Sequence, residues 1–335
     1  MKRILQLAAI VALTVFFLWL FLHNANFADV GAILRTTTPG WIVVGLLVNI
    51  CAILLRTVRW RTILDPDDPP PFGATFFANA VGYMLSIVLP IRAADLARPA
   101  MLARRTSHRF SGALGTVLTE RVLDLISILG MFVYFAARRW RELSHNPAVA
   151  GWFYIVRIGA IAAAAILVAL FTLMFAIYFF GSSVRRMHAA IGRILPRRIR
   201  DAWMHFFDSF AATLTIARHR TAFIKVVLCT AGVWMCLSSQ FWFSTLAAHH
   251  PLPFDSSFFV IGVTTVGLAI PTPGGVGGFH KACQLVLTHF YGFDIDLSIA
   301  IAVLFHLVST LPVLVTGLFL FARAGLRPGD FRKSE

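Results

Sequence analysis

Long uninterrupted apolar segments constrain this chain more than any other feature. Six of them are long enough, or nearly so, to cross ~30 Å of hydrocarbon as helices. In lipid, backbone amides must find their partners within their own segment, so helices are expected. Because 58% of the residues are hydrophobic and only 13% are charged, a water-exposed surface is excluded. We predict an all-α polytopic membrane protein whose six spans are Ile4–Leu22, Trp41–Leu55, Phe110–Ala137, Trp152–Phe180, Ala222–Leu246 and Leu297–Phe321.

Two further apolar segments, at about 72–105 and 256–291, are interrupted by helix-breaking residues. Leu89-Pro90-Ile91-Arg92 breaks the first segment, and Pro271-Thr272-Pro273-Gly274-Gly275-Val276-Gly277-Gly278 breaks the second. If both segments crossed the membrane, the arginines within 185–220 would face away from Lys2 and Arg3, against the positive-inside rule. We therefore predict two re-entrant helical hairpins, the first entering from the cytoplasmic side and the second from outside.

This topology describes a single transmembrane domain over residues 1–335, with both termini cytoplasmic and a possible inverted repeat. A cytoplasmic basic loop at about 181–221 mixes arginines with aromatic residues, so a stretch within 199–214 can lie on the inner leaflet as an amphipathic helix. A surface anchor is favoured there over a lipid sensor. Because topology and anionic lipid account for the net charge of +15, no nucleic-acid partner is expected.

Ionisable residues inside the predicted membrane region are the first candidates for function. Each costs a few kcal/mol or more unless it is paired, so structural ion pairs are the alternative. In the first hairpin, Arg92, Asp95 and Arg98 are spaced i, i+3, i+6, and Asp95 is expected to satisfy one arginine and leave the other free.

The next span carries a second charged cluster, formed by Glu120, Arg121 and Asp124. We expect this cluster to pair with the arginines of the first hairpin. A buried pair that only locks two helices together would show the same pattern, so that interpretation stays open.

The glycine-rich break is the second candidate site. Gly274, Gly275 and Gly277 precede a helix, whose N-terminal N–H groups and dipole suit a phosphate. Close helix packing is the alternative explanation for these glycines. His280 and Lys281 fall in the first turn of that helix, where a cation is favourable chiefly beside an anion.

Other chemistry finds little support in the sequence. The four cysteines lie in apolar segments without metal-ligand spacing, so core packing is their expected role and no metal site is predicted. Nucleotide-binding, zinc-protease and serine-hydrolase motifs are missing, so neither an enzyme nor a cofactor is expected.

Four motifs together resemble the flippase-like transmembrane family named after lysylphosphatidylglycerol synthase. They occur in the family's order and span most of the chain: Leu55-Arg56-x-x-Arg59-Trp60-Arg61, Leu89 to Arg98, Leu118-Thr119-Glu120-Arg121-Val122-Leu123-Asp124 and Pro271 to Gly277. Two positions depart from the family pattern. Ala94 stands where glycine is frequent, and His280 stands where glutamate is frequent.

The resemblance implies a lipid translocase in a bacterial-type inner membrane, with an anionic phospholipid or a polyprenyl or glycolipid head group held near the midplane. The alternative is an accessory subunit that presents lipid to a separate glycosyltransferase or lipid-modifying enzyme. Because the chain ends at Glu335, soon after its last span, a stand-alone member without the soluble synthase domain is expected, and lysyl transfer is not. The implied site residues are Arg92, Asp95, Arg98, Glu120, Arg121, Asp124, Gly274, Gly275 and Gly277.

Overall fold

The computed structural model describes residues 2–88, 94–140, 150–194, 200, 216, 219–268, 270 and 272–325. This described part is all-helical and contains no strand. Its eleven α-helices are α1 (Lys2–Leu22), α2 (Phe27–Thr36), α3 (Pro39–Leu64), α4 (Phe72–Val88), α5 (Ala94–Ala103), α6 (Phe110–Arg138), α7 (Ala150–Ile194), α8 (Arg220–Ala247), α9 (Ser256–Gly267), α10 (Gly278–Tyr291) and α11 (Ile295–Arg323).

Four helices are long and apolar enough to cross a membrane: α3, α8, α11 and the Tyr154–Leu173 part of α7. The described part of α1 forms a fifth candidate together with α2, although the two are bent by 78° at their junction. The predicted span over α6 has the length, 29 residues, but its middle carries Glu120, Arg121 and Asp124. The multi-pass architecture is therefore confirmed, while the number of six spans stays a prediction.

Helix boundaries follow local sequence signals. The side chain of Asn26 caps α2 by accepting a hydrogen bond from the Ala28 N–H at 3.1 Å. Pro39 occupies the first turn of α3, where its missing N–H costs nothing. Gly292 ends α10 in the left-handed conformation, with φ of 68°.

Both broken segments fold back on themselves. In the first, Gly82 of α4 lies directly against the side chain of Arg98 on α5, so any larger residue would clash. In the second, a Cβ on Gly267 of α9 would lie 2.5 Å from the carbonyl oxygen of Gly278 on α10. Glycine is thus required for close packing in each helix pair. The side of the membrane from which each pair enters stays a prediction.

The predicted basic loop differs from the structure at its start. Helix α7 continues without interruption to Ile194, so residues 181–194 are helical rather than part of a loop. With 45 residues, α7 is about 68 Å long and extends well beyond the thickness of a bilayer. The predicted amphipathic stretch, apart from residue 200, lies outside the described residues.

Two apolar cores hold the helices together. One core is built mainly from α6 and α8 to α11, with Phe241, Leu287 and Ile301 at its buried centre. The other joins α3, α4, α5 and α6, and Trp60 and Val81 are fully buried in it. Most of the predicted charged residues lie beside this second core.

Candidate functional site

A buried carboxylate joins three helices at the centre of the site. Glu120 on α6 accepts a hydrogen bond from Arg59 Nε at 3.1 Å through Oε1, and another from Arg98 Nη2 at 2.6 Å through Oε2. All three side chains are 1–2% exposed. One carboxylate therefore neutralises charge from both α3 and α5, and each pair has hydrogen-bonding geometry as well as opposite charge.

The network continues one turn along α6 to a more exposed end. Arg59 Nη1 donates to Asp124 Oδ1 at 2.8 Å, and Arg121 Nη1 lies 3.8 Å from Asp124 Oδ2. Arg121 also pairs with Asp95 of α5 through its Nη2. The side chains of Arg121 and Asp95 are 41% and 30% exposed, so this outer pair lies at the surface of the bundle.

Neutral polar groups complete the buried end. Asn79 on α4 accepts a hydrogen bond from Arg98 Nε at 2.6 Å and donates one to Thr57 Oγ1 at 3.1 Å. The guanidinium of Arg98 also lies 4.3 Å from the ring centroid of Trp60, whose indole N–H donates to Thr116 at 2.9 Å. The arginine thus has hydrogen-bonding, ionic and cation–π partners in a nearly dry environment.

Tyr83 brings a fourth arginine to the cluster. Its ring lies 5.0 Å from the guanidinium carbon of Arg56 and 4.9 Å from that of Arg98. Tyr83 also lies within electrostatic reach of Arg59 and Arg121. Arginines from α3 and α5 therefore lie against this tyrosine of α4.

The structure confirms the expected pairing of the α6 cluster with the first hairpin and excludes Arg98 as the partner of Asp95. The α6 cluster does pair with the first hairpin, through Arg98 with Glu120 and Arg121 with Asp95. In the described residues Asp95 pairs with Arg121 and Arg98 pairs with Glu120, so Arg98 is not the partner of Asp95. Arg92 lies outside the described residues.

Arg59 is a site residue that is missing from the candidates named from the sequence. It lies five residues before the end of α3, about 8 Å along the helix axis, and is 1% exposed. The signal in the sequence was the Leu55-Arg56-x-x-Arg59-Trp60-Arg61 motif. Its i, i+3 arginines belong to one helical face, on which Arg59 contacts α6 and Arg56 lies over Tyr83 of α4.

The glycine-rich break forms a tight turn before α10. Gly274, Gly275 and Gly277 have φ of 61°, 72° and 90°, conformations that side chains with a Cβ rarely adopt. Gly274 lies beside Ile87, near the end of α4, where an added Cβ would be 3.4 Å from the Ile87 carbonyl oxygen. Because Ile87 is one turn after Tyr83, the glycine turn lies next to the charged cluster.

His280 and Lys281 do not join the charged cluster. The Gly277 N–H donates to His280 Nδ1 at 3.4 Å, so His280 supplies the acceptor that glutamate supplies in a capping box. The buried imidazole packs on Phe21 and His306, with ring centroids 5.0 and 4.5 Å away. Lys281 Nζ instead donates to Gln284 Oε1 at 2.9 Å. In the described residues both side chains have internal structural partners.

Across the part of the chain that the structure describes, no three His, Cys, Asp or Glu side chains cluster as a metal site. The guanidinium groups form a fixed array, which suits the binding of an anion. This array and the adjacent glycine turn lie among apolar helices.

Long apolar helices around a buried ion-pair network define a multi-pass membrane protein. The model of the family described as the lysylphosphatidylglycerol synthase TM region matches residues 4–317, so the chain belongs to that family. Comparison with curated proteins finds no match.

Proposed function

We propose that this protein is a lipid translocase that binds an anionic head group at the charged cluster and moves the lipid between leaflets. The observation that carries the proposal is the partly exposed Arg121–Asp95 pair at the outer end of the buried network. Ionic side chains at a lipid-facing surface are costly unless a polar group covers them. An anionic phospholipid or a polyprenyl or glycolipid phosphate would supply such a group and keep its tails in the bilayer.

The contact between the two helix breaks supports a continuous polar path. Gly274 of the glycine turn lies against Ile87 at the end of α4, and the charged cluster begins one turn away at Tyr83. If 72–105 and 256–291 are re-entrant from opposite faces, their tips meet within the membrane. Discontinuous helices that meet in this way provide the midplane sites of many transporters.

The complete pairing of the inner network favours a second function. Arg59, Arg98 and Glu120 are buried and mutually satisfied, which makes this end rigid. A rigid site suits an accessory subunit that holds a lipid for a separate glycosyltransferase or lipid-modifying enzyme. In both functions the chain binds lipid in a bacterial-type inner membrane.

Reconstitution separates the two functions. The full chain is placed in phosphatidylcholine vesicles with trace fluorescent phosphatidylglycerol or polyprenyl phosphate, and inward movement is followed by quenching of the outer leaflet. We expect protein-dependent flipping that falls more than tenfold in Arg121→Gln and is unchanged in Arg35→Gln, an exposed arginine on α2. Retention of lipid without flipping would favour the accessory subunit, and neither retention nor flipping would refute both.

A further inference from the structure

Arg56 is the one arginine of the cluster without a carboxylate partner in the described part of the chain. Its guanidinium lies over Tyr83 and within electrostatic reach of Asp124, but it forms no ion pair there. It is partly buried and lies eight residues before the end of α3, about 12 Å along the axis. A partly buried guanidinium without a carboxylate partner among the described residues would be stabilised by a bound anion.

Among the described residues, the charged cluster has a small excess of positive charge. Arg56, Arg59, Arg98 and Arg121 face Asp95, Glu120 and Asp124, which leaves one positive charge among the described residues. A single phosphodiester group carries one negative charge. Its two free oxygens also match the planar donor geometry of a guanidinium.

Tyr83 provides a second donor at the same position. Its partly exposed ring is held by the two arginines, and its hydroxyl makes no hydrogen bond to the described residues. A phenolic hydroxyl beside an arginine can donate to a phosphate oxygen. The neighbouring helix end at Ile87 and the glycine turn bring further backbone close to this point.

We propose that Arg56 and the Tyr83 hydroxyl form the subsite for the phosphodiester of a monoanionic lipid head group. The inference rests on the proposed function, because both concern the same site, and it adds the residues and the charge of the ligand. Arg59, Arg98 and Glu120 then serve as the fixed framework that positions Arg56 and Tyr83.

Lipid retention by the purified full chain tests this subsite. Detergent-solubilised protein is incubated with equal amounts of phosphatidylglycerol, phosphatidylcholine and phosphatidic acid at pH 8, and the retained lipid is measured by native mass spectrometry. We expect at least tenfold preference for phosphatidylglycerol over phosphatidylcholine. Arg56→Gln should lose this preference, Arg56→Lys should keep part of it, and Tyr83→Phe should weaken retention several-fold. Arg35→Gln is the matched control.

A second variant tests the charge balance itself. Asp124→Asn raises the net charge of the cluster by one, so its preference should shift towards the dianionic form of phosphatidic acid. Inorganic phosphate at millimolar concentration should not displace phosphatidylglycerol. Displacement would show that the site takes free phosphate. Unchanged retention in Arg56→Gln would show that the arginine only extends to the membrane surface. Either result overturns the inference.

Flipping measured on the same variants separates the two proposals. Arg56-dependent retention without any flipping would refute translocation and keep the subsite. Flipping that proceeds equally in wild type and Arg56→Gln, with equal retention, would refute the subsite and keep translocation.

Discussion

At the residue scale, the charged cluster contains fewer carboxylates than arginines, so one carboxylate pairs with more than one arginine. Glu120 alone contacts Arg59 and Arg98, and all three are excluded from solvent. Inside a low-dielectric environment such an arrangement is stable only while every member is present. Because the carboxylates pair with the other three arginines, Arg56 is available for a ligand.

Neutralising Glu120 should therefore destabilise the protein strongly. In Glu120→Gln two buried guanidinium groups lose their shared counter-charge, and we expect the free energy of unfolding to fall by about 3–5 kcal/mol. Titration of the detergent-solubilised protein with SDS measures it. The control Asp68→Asn changes an exposed carboxylate and should stay within about 0.5 kcal/mol of wild type. Equal stability of both variants would show that the network contributes little.

At the element scale, the glycine turn is held against α1 as well as against α4. A Cβ on Gly277 would lie 2.7 Å from Phe17 Cβ and 3.0 Å from the Leu18 backbone nitrogen. Backbone atoms cannot move aside as a flexible side chain can. Glycine is therefore required at position 277 both for its positive φ and for the close contact with α1.

Two glycine-to-alanine variants distinguish these demands. Gly292 also has positive φ, 68°, but nothing lies within 4 Å of the position of its Cβ. We expect Gly292→Ala to cost about 1–2 kcal/mol, the penalty of the left-handed conformation alone. Gly277→Ala should cost roughly twice as much or more, because the contact with α1 adds to it. If both variants lost the same free energy of unfolding in SDS titration, α1 would move aside without a free-energy cost.

An ion pair joins the end of α6 to the start of α9. Arg139 donates to both carboxylate oxygens of Asp255, at 2.9 and 2.8 Å. The hydrogen bond from Arg139, with the charge of the same guanidinium, holds the pKa of Asp255 below its ordinary value of 3.8, although partial burial opposes this. The pair thus stabilises the helix contact only while Asp255 is ionised.

The sign of the pH dependence follows from this lowered pKa. The contribution of Asp255 is fully present above the unfolded value of about 4 and is lost as the pH falls through the lower folded value. We expect the melting temperature of Asp255→Asn to fall less between pH 5 and pH 3 than that of wild type. Asp68→Asn should keep the wild-type fall, and identical curves for wild type and Asp255→Asn would contradict the prediction.

At the scale of the whole molecule, the main question is whether the two broken segments cross the membrane. The answer decides on which side of the membrane each later helix begins and ends. Helices α4, α5, α9 and α10 have 17, 10, 12 and 14 residues, so each is shorter than the ~20 residues of a spanning helix. The predicted re-entrant topology would keep most of the basic residues on one side, as the positive-inside rule requires. In that topology both termini are predicted to be cytoplasmic.

Cysteine labelling in intact cells tests this topology. In a chain whose four native cysteines are replaced by alanine, Asp68→Cys and Ser107→Cys flank the first helix pair, and His250→Cys and Asp294→Cys flank the second. We expect an impermeant maleimide applied outside to label only the second pair of positions. Labelling of one position from each pair would show that the segments cross the membrane.

Much of the element structure was predictable because the membrane leaves few choices. Apolar length identified α3, α8 and α11, and Pro and Gly located both interruptions. The extent of α7 was not predictable, because its arginine-rich end has the composition of a surface loop and also of a long helix. Hydropathy indicates which residues are buried in lipid. It does not indicate where a helix ends outside the bilayer.

The sequence by itself determined that this is an all-helical membrane protein of one family and that Asp95, Arg98, Glu120, Arg121 and Asp124 are its unusual charges. Only the tertiary structure decided that Arg59 belongs to them and that Asp95 pairs with Arg121. The physical reason is that an ion pair depends on which faces of α3, α5 and α6 meet. That arrangement is set by packing between residues far apart in the chain, such as Gly82 against Arg98, which no local pattern encodes.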